Sequence, residues 1–228
     1  MLSFLFPFAI LGTVFALHGV YPFGDRQALI LDMGDQHYPF LNDFWHRIRG
    51  GNLAPWSWNA GLGSDYISLF AYYLASPLNL LTLLVPQALL REALTLILLV
   101  KIGLAGLFAG MFLRYANLRY INCQKKADVQ TGLALPVFSS LYALCGFTLG
   151  YYTQTIWFDS FALLPLVIFG LLALLREGKF ILYTVSLALA VFANFYNGFY
   201  ICIFIVITFF SQCIIQKYNR QEFLRKLV

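Results

Sequence analysis

Apolar residues in this chain come in long unbroken runs, separated by short polar or basic stretches. Runs occupy residues 1–20, 66–85, 93–113, 133–151, 156–175, 180–195 and 199–215. A run of roughly 18 or more apolar residues can cross a bilayer as a helix. In hydrocarbon the backbone must satisfy its own hydrogen bonds, so the runs are expected to be α-helical. The first run lacks a basic start and is long for a signal peptide, so it reads as a first span. The run at 66–85 is interrupted at Ser76-Pro77, where proline breaks a helix. Between the first two runs lies a loop, 21–65, in which residues 40–49 have helical spacing. Phe40, Leu41, Phe44, Trp45 and Ile48 fall on one side, which predicts an amphipathic helix on the membrane surface. A loop of this length is expected to be ordered and packed on the end of the bundle.

Charge gives an orientation. Basic residues cluster after residue 113 (Arg114, Arg119, Lys125, Lys126), after 175 (Arg176, Lys179) and at 217–226. Such clusters mark cytoplasmic loops. The turns near Tyr152 and Asn197 then lie outside. The loop at 21–65 carries Asp25, Asp32, Asp35, Asp43 and Asp65, half of the chain's ten acids. For it to lie outside too, only one of the runs at 66–85 and 93–113 can cross. The proline-broken run at 66–85 is the one expected to re-enter or lie at the surface; the alternative is that it crosses and the loop at 21–65 lies inside. The expected fold is an all-α polytopic transmembrane helix bundle. It has six spans, one re-entrant or interfacial segment and a long ordered outer loop, in a single transmembrane module over 1–228.

Composition narrows the function. The chain is 61% hydrophobic and 11% charged, against about 25% charged in soluble domains, so a soluble enzyme is excluded. The net charge of +5 belongs to loops between spans and does not point to nucleic acid. Cys123, Cys145, Cys202 and Cys213 form no paired motif, so buried free thiols are expected instead of a metal or disulfide framework. No cluster of His, Cys and carboxylate has metal-ligand spacing, and no cofactor is implied.

The candidate chemistry gathers in the outer loop. Asp32 and Asp25 are candidate general bases for a sugar or alcohol hydroxyl, or solvated loop acids. Arg26 could hold a phosphate through paired hydrogen bonds, or pair with Asp25. His37 could bind phosphate or move a proton, or make an ordinary polar contact. Trp56 and Trp58 could stack on a sugar, or sit at the interface as tryptophan prefers. Asp159, at the mouth of a span, is costly near hydrocarbon. It either joins the outer site or caps its helix. Lys101, inside a span, is expected to reach a polar partner, with a lipid phosphate as the alternative. Asn194, Tyr196 and Asn197 form an outer turn that could line the same cavity, although turn chemistry alone explains Asn197-Gly198.

Several blocks in order carry a resemblance: YPFGDR at 21–26, DMxxQ at 32–36, WNAGLG at 58–63, FAYYLASPLNLL at 70–81, YALCGFTLGYY at 142–152, LYTVSLALA at 182–190 and NFYNGFY at 194–200. Over essentially its whole length the chain resembles the bacterial YfhO membrane-protein family. The resemblance implies a polytopic glycosyltransferase of the GT-C architecture in the bacterial cell membrane. Such an enzyme takes a sugar from a polyprenyl-phosphate carrier and gives it to a cell-envelope polymer such as lipoteichoic acid. It places the catalytic acid in the first outer loop, where Asp25 and Asp32 stand, and draws Gln36 and Asn59 into the candidate substrate-binding set with Arg26, His37, Trp58, Asp159 and Asn194. Family members are longer, so the chain is expected to be an amino-terminal portion. His37 stands where the family has tyrosine. The competing readings are a transporter or lipid-carrier flippase, and a noncatalytic subunit of a glycosylation complex. The gathering of polar residues at one outer loop, away from a bilayer midplane, favours the enzyme over the transporter.

Overall fold

A computed structural model describes residues 1–120 and 133–217, with side chains omitted at 118–120. The basic residues Arg119, Lys125 and Lys126, the thiol of Cys123 and the basic stretch beyond Lys217 therefore lie outside the described side chains. The described chain is mainly helical. Helix α1 is Leu2–Leu17. A π-type turn, Met33–His37, runs straight into α2, Tyr38–Arg49. A two-stranded antiparallel hairpin pairs β1, Trp56–Ser57, with β2, Ser64–Asp65. Helix α3, Tyr66–Leu69, continues as a π-type turn, Phe70–Leu74, and is followed by a 3-10 segment, Pro77–Leu84. Then come α4, Leu90–Tyr120, α5, Ala134–Ala143, α6, Gly146–Tyr151, α7, Phe158–Glu177, α8, Ile181–Ala193, and α9, Phe195–Ile215.

Among the described residues, four helical stretches are long and apolar enough to cross a membrane: Gln87–Asn117, Ala134–Tyr151, Thr155–Glu177 and Phe195–Ile215. The expected spans at 1–20 and 180–195 come out shorter. At 16 and 13 residues they reach only about 24 and 20 Å at a rise of 1.5 Å per residue, against about 30 Å of hydrocarbon. Local chemistry explains both stops. Gly19 takes a left-handed φ of 61° just past α1, a common helix terminator. Asn194 is extended and its side chain accepts a hydrogen bond from the Asn197 amide, so it ends α8 and caps α9. The run at 133–151 also breaks, at Leu144-Cys145, where Cys145 turns extended before Gly146.

The run at 66–85 bends by 95°. Ser76 is extended, as a residue before proline must be, and Pro77 opens the next turn, where its missing N–H costs nothing. The Asn79 side chain donates back to the Leu74 carbonyl at 3.2 Å and closes the corner. Both ends of this segment are fastened to the last turns of α2. The Arg47 guanidinium lies 3.9 Å over the Tyr66 ring. Trp45 Nε1 donates to the Val85 carbonyl at 3.0 Å and Arg49 to the Leu83 carbonyl at 2.7 Å. Both ends of the segment thus contact neighbouring turns of α2.

The apolar face of α2 packs into the protein, with Leu41 and Phe44 buried beside Met33, Leu74 and Leu98. Its apolar residues therefore serve the bundle first, and only Ile48 of the expected surface face is exposed. The larger core joins α1, α2, α4 and α7 through Leu11, Met33, Leu41, Ile102 and Phe158. A second core joins α7, α8 and α9 through Val167, Leu171, Ala190 and Ile205. Helices α1 and α4 approach closely: a Cβ on Gly106 would strike the Ser3 carbonyl oxygen and come within 2.7 Å of Pro7 Cγ. Of the free thiols, Cys213 is buried and Cys145 half-buried, but Cys202 is exposed on α9, because its side of that helix has no packed neighbour among the described residues.

Candidate functional site

Asp32 sits at the start of the π-type turn before α2 and is half-buried. Each of its carboxylate oxygens has one side-chain donor. Gln36 Nε2 donates to Oδ1 at 3.1 Å, from one turn further along. Gln154 Nε2 donates to Oδ2, from the turn before α7. Gln36 is itself held, because Tyr73 donates its hydroxyl to Gln36 Oε1 at 2.6 Å. A carboxylate offers about four lone-pair sites, so both oxygens keep acceptor capacity for a further proton donor.

A second polar cluster lies beneath. Lys101 is 2% exposed, and its Nζ lies 2.6 Å from Asp159 Oδ2 and 2.9 Å from the Thr155 carbonyl. Ser76 donates to Asp159 Oδ1 at 2.8 Å. His37 Nδ1 and Thr155 Oγ1 are 3.0 Å apart, while His37 Nε2 is buried without a partner. Burial pushes the His37 pKa down to about 4, and the Lys101 charge adds to this. The imidazole is therefore held in its neutral form at pH 7. A small cavity of about 10 Å³ separates His37, Tyr73, Asn79, Lys101 and Thr155.

The family comparison now bears on this arrangement. The chain matches the family model for the bacterial membrane protein YfhO over residues 3–228. It belongs to the YfhO family. No curated protein and no solved structure matches it. As a YfhO family member with several long apolar helices, it is a multi-pass bacterial membrane protein.

The structure sorts the candidate residues of this YfhO family chain into groups. Asp32, Gln36 and His37 stand together. Asp159 lies beneath them, 7% exposed, with both carboxylate oxygens engaged. Its carboxylate is thus tied to Lys101 and Ser76, away from the three residues that stand together around Asp32. Asn194 is fully buried and donates to the Tyr72 carbonyl at 2.9 Å. It ties α9 to the residue beside Tyr73 and lines no open surface. Asp25 and Arg26 are both exposed. Their side chains have no partner among the described residues, so the Asp25–Arg26 clamp does not form. Arg26 is anchored through its backbone, which bridges to Val20 and donates to the Gly19 carbonyl.

Trp58 and Asn59 belong elsewhere. Asn59 Nδ2 donates to Asp43 at 2.6 Å, roughly 16 Å further along the helix from Asp32 at 1.5 Å per residue. Trp58 is 76% exposed, with its ring centroid 5.6 Å from that of Trp56. Arg47 holds this hairpin by donating to the carbonyls of Ala54 and Trp56.

Sequence reasoning missed Gln154 as a holder of Asp32, Tyr73 as the group that fixes Gln36, and Ser76 as a partner of Asp159. Lys101 was visible as a charge inside an apolar run, and the polar partner expected for it is Asp159. Among the described residues, no group of three or more His, Cys, Asp or Glu side chains could hold a metal ion.

Proposed function

We propose that this chain carries the catalytic end of a membrane glycosyltransferase of the GT-C type. It would move a sugar from a polyprenyl-phosphate carrier to a cell-envelope polymer, such as lipoteichoic acid, at the outer membrane face. Asp32 is the base. It takes the proton of the acceptor hydroxyl as that oxygen attacks the anomeric carbon, and the bond from that carbon to the carrier phosphate oxygen breaks, releasing polyprenyl phosphate. Arg26, whose side chain is exposed and unengaged among the described residues, meets the leaving phosphate, since positive charge helps most where negative charge develops. In this reading the six crossings are α1, α4, α5 with α6, α7, α8 and α9. The bent segment 66–85 enters without crossing, and α1 and α8 are accommodated by local bilayer thinning.

The observation that carries this reading is the grip on Asp32. One amide donor on each oxygen orients the carboxylate and leaves room for an acceptor hydroxyl. Asp25 has no such holders, and the donors to the exposed Asp65 come from Ile67 and Ser68 of the helix that it caps, not from separate segments. The test uses the full-length protein in proteoliposomes with a polyprenyl-phosphate sugar. Asp32→Asn lowers transfer by about 10²–10⁴-fold, the contribution of a general base, at normal abundance. Asp35→Asn, exposed and without a side-chain partner among the described residues, leaves it unchanged. Full activity in Asp32→Asn removes the base and favours a noncatalytic membrane subunit.

A further inference from the structure

The Lys101–Asp159 pair is in the wrong place to be a simple stabiliser. Taking two charges out of water costs more than a surface pair returns, and well-packed apolar residues of similar volume commonly do as well or better. Its geometry instead connects three segments. Lys101 projects from α4. Thr155 and Asp159 belong to the turn that opens α7. Ser76 is the corner of the bent segment. Two of these three segments also carry the holders of Asp32. Gln154, which donates to Asp32 Oδ2, immediately precedes Thr155, whose carbonyl accepts from Lys101. Tyr73, which holds Gln36, lies just before the corner at Ser76, whose hydroxyl donates to Asp159. His37 adds a further tie, from the turn that bears Asp32 to Thr155 Oγ1.

We propose that the buried Lys101–Asp159 pair is a positioning device: it registers the Gln154 turn against the Tyr73 corner so that both amides meet Asp32 at once. This rests on the reading of Asp32 as the base. Lys101 and Asp159 touch no substrate. They act only through Thr155 and Ser76, and so through Gln154, Tyr73 and Gln36.

The test replaces both charges together, Lys101→Met with Asp159→Leu, in the full-length protein, because removing one partner strands the other as a buried charge. The double variant is expected to insert and to unfold at the wild-type temperature. Its kcat falls at least tenfold, while the KM for the polyprenyl-phosphate sugar changes less than twofold. Lys101→Arg, which keeps the charge, retains more activity than the double variant. A double variant with wild-type stability and wild-type kcat overturns the proposal.

A second readout needs no activity. In a background with the native cysteines replaced by serine, Asp32→Cys with Gln154→Cys is cross-linked in membranes by a short bifunctional thiol reagent, which spans the gap left by the two shortened side chains. The proposal expects the rate to fall at least tenfold when the pair is removed, and an unchanged rate overturns it. If the double variant does not fold, Asp159→Asn takes its place in the same cross-linking measurement. A wild-type protein that transfers no sugar, with cross-linking that still depends on the pair, sinks the glycosyltransferase reading and leaves the positioning intact.

Discussion

Asp32 and Asp25 carry the same group in the same loop, and only their surroundings separate them: two amide donors for one, solvent for the other. His37 shows the same dependence on surroundings. Its pKa is lowered to about 4 from an ordinary 6.5, so the folded chain disfavours its protonation. The stability this confers is whole above pH 6.5 and is lost as pH falls towards 4, where the unfolded chain takes up the proton first. The shift corresponds to an effect on the order of 3 kcal/mol. His37→Gln is expected to flatten this acid limb. Between pH 7 and 4.5 its melting temperature in detergent falls less than that of the wild type, and an equal fall in both would remove His37 as a cause. At this scale, legibility followed chemistry that is out of place. A lysine and an aspartate near hydrocarbon stood out in the sequence, but their pairing did not, because 58 positions separate them. Gln154 and Tyr73 gave no signal, since amides and tyrosines are ordinary at a membrane rim and become significant only through what they touch.

Among the elements, breaks were easier to read than lengths. Ser76-Pro77 announced a bend because proline forbids a straight helix, and the 95° corner stands there. The stops at Gly19 and Asn194 were less legible. Apolar residues continue past both, and hydropathy does not register a left-handed glycine or an extended asparagine. The amphipathic pattern at 40–49 located α2 well, but a pattern cannot say whether its apolar face meets lipid or protein. Small residues in α4 were likewise silent, although they set the distance to α1. Gly106→Ala would place a methyl group against Ser3 and Pro7, and overpacking of this kind costs about 1–3 kcal/mol. A lowered melting temperature is expected for Gly106→Ala and no loss for Gly150→Ala, where nothing lies within 4 Å. Equal melting of the two would mean that α1 and α4 can separate freely.

Across the whole molecule, the distribution of basic residues predicts which end faces outward, while both ends of segment 66–85 are attached to α2. Cysteine labelling tests this directly. An impermeant reagent applied outside is expected to reach Leu62→Cys and Leu84→Cys, at residues 99% and 79% exposed. It should not reach Lys179→Cys, whose side chain is 74% exposed, until the membrane is opened. Labelling of Leu84→Cys only from within would show that the bent segment crosses. The same attachment has a consequence for motion. A stretch of chain clasped at both ends by neighbouring turns of one helix cannot fray from either end alone, so α2 and the bent segment form one cooperative unit. Their backbone amides should exchange hydrogen with a shared opening free energy, as sub-global units do. Trp45→Phe, which frees the Val85 end, should speed exchange at Phe70–Leu74 and within α2 together, while α9 keeps its own slower rate.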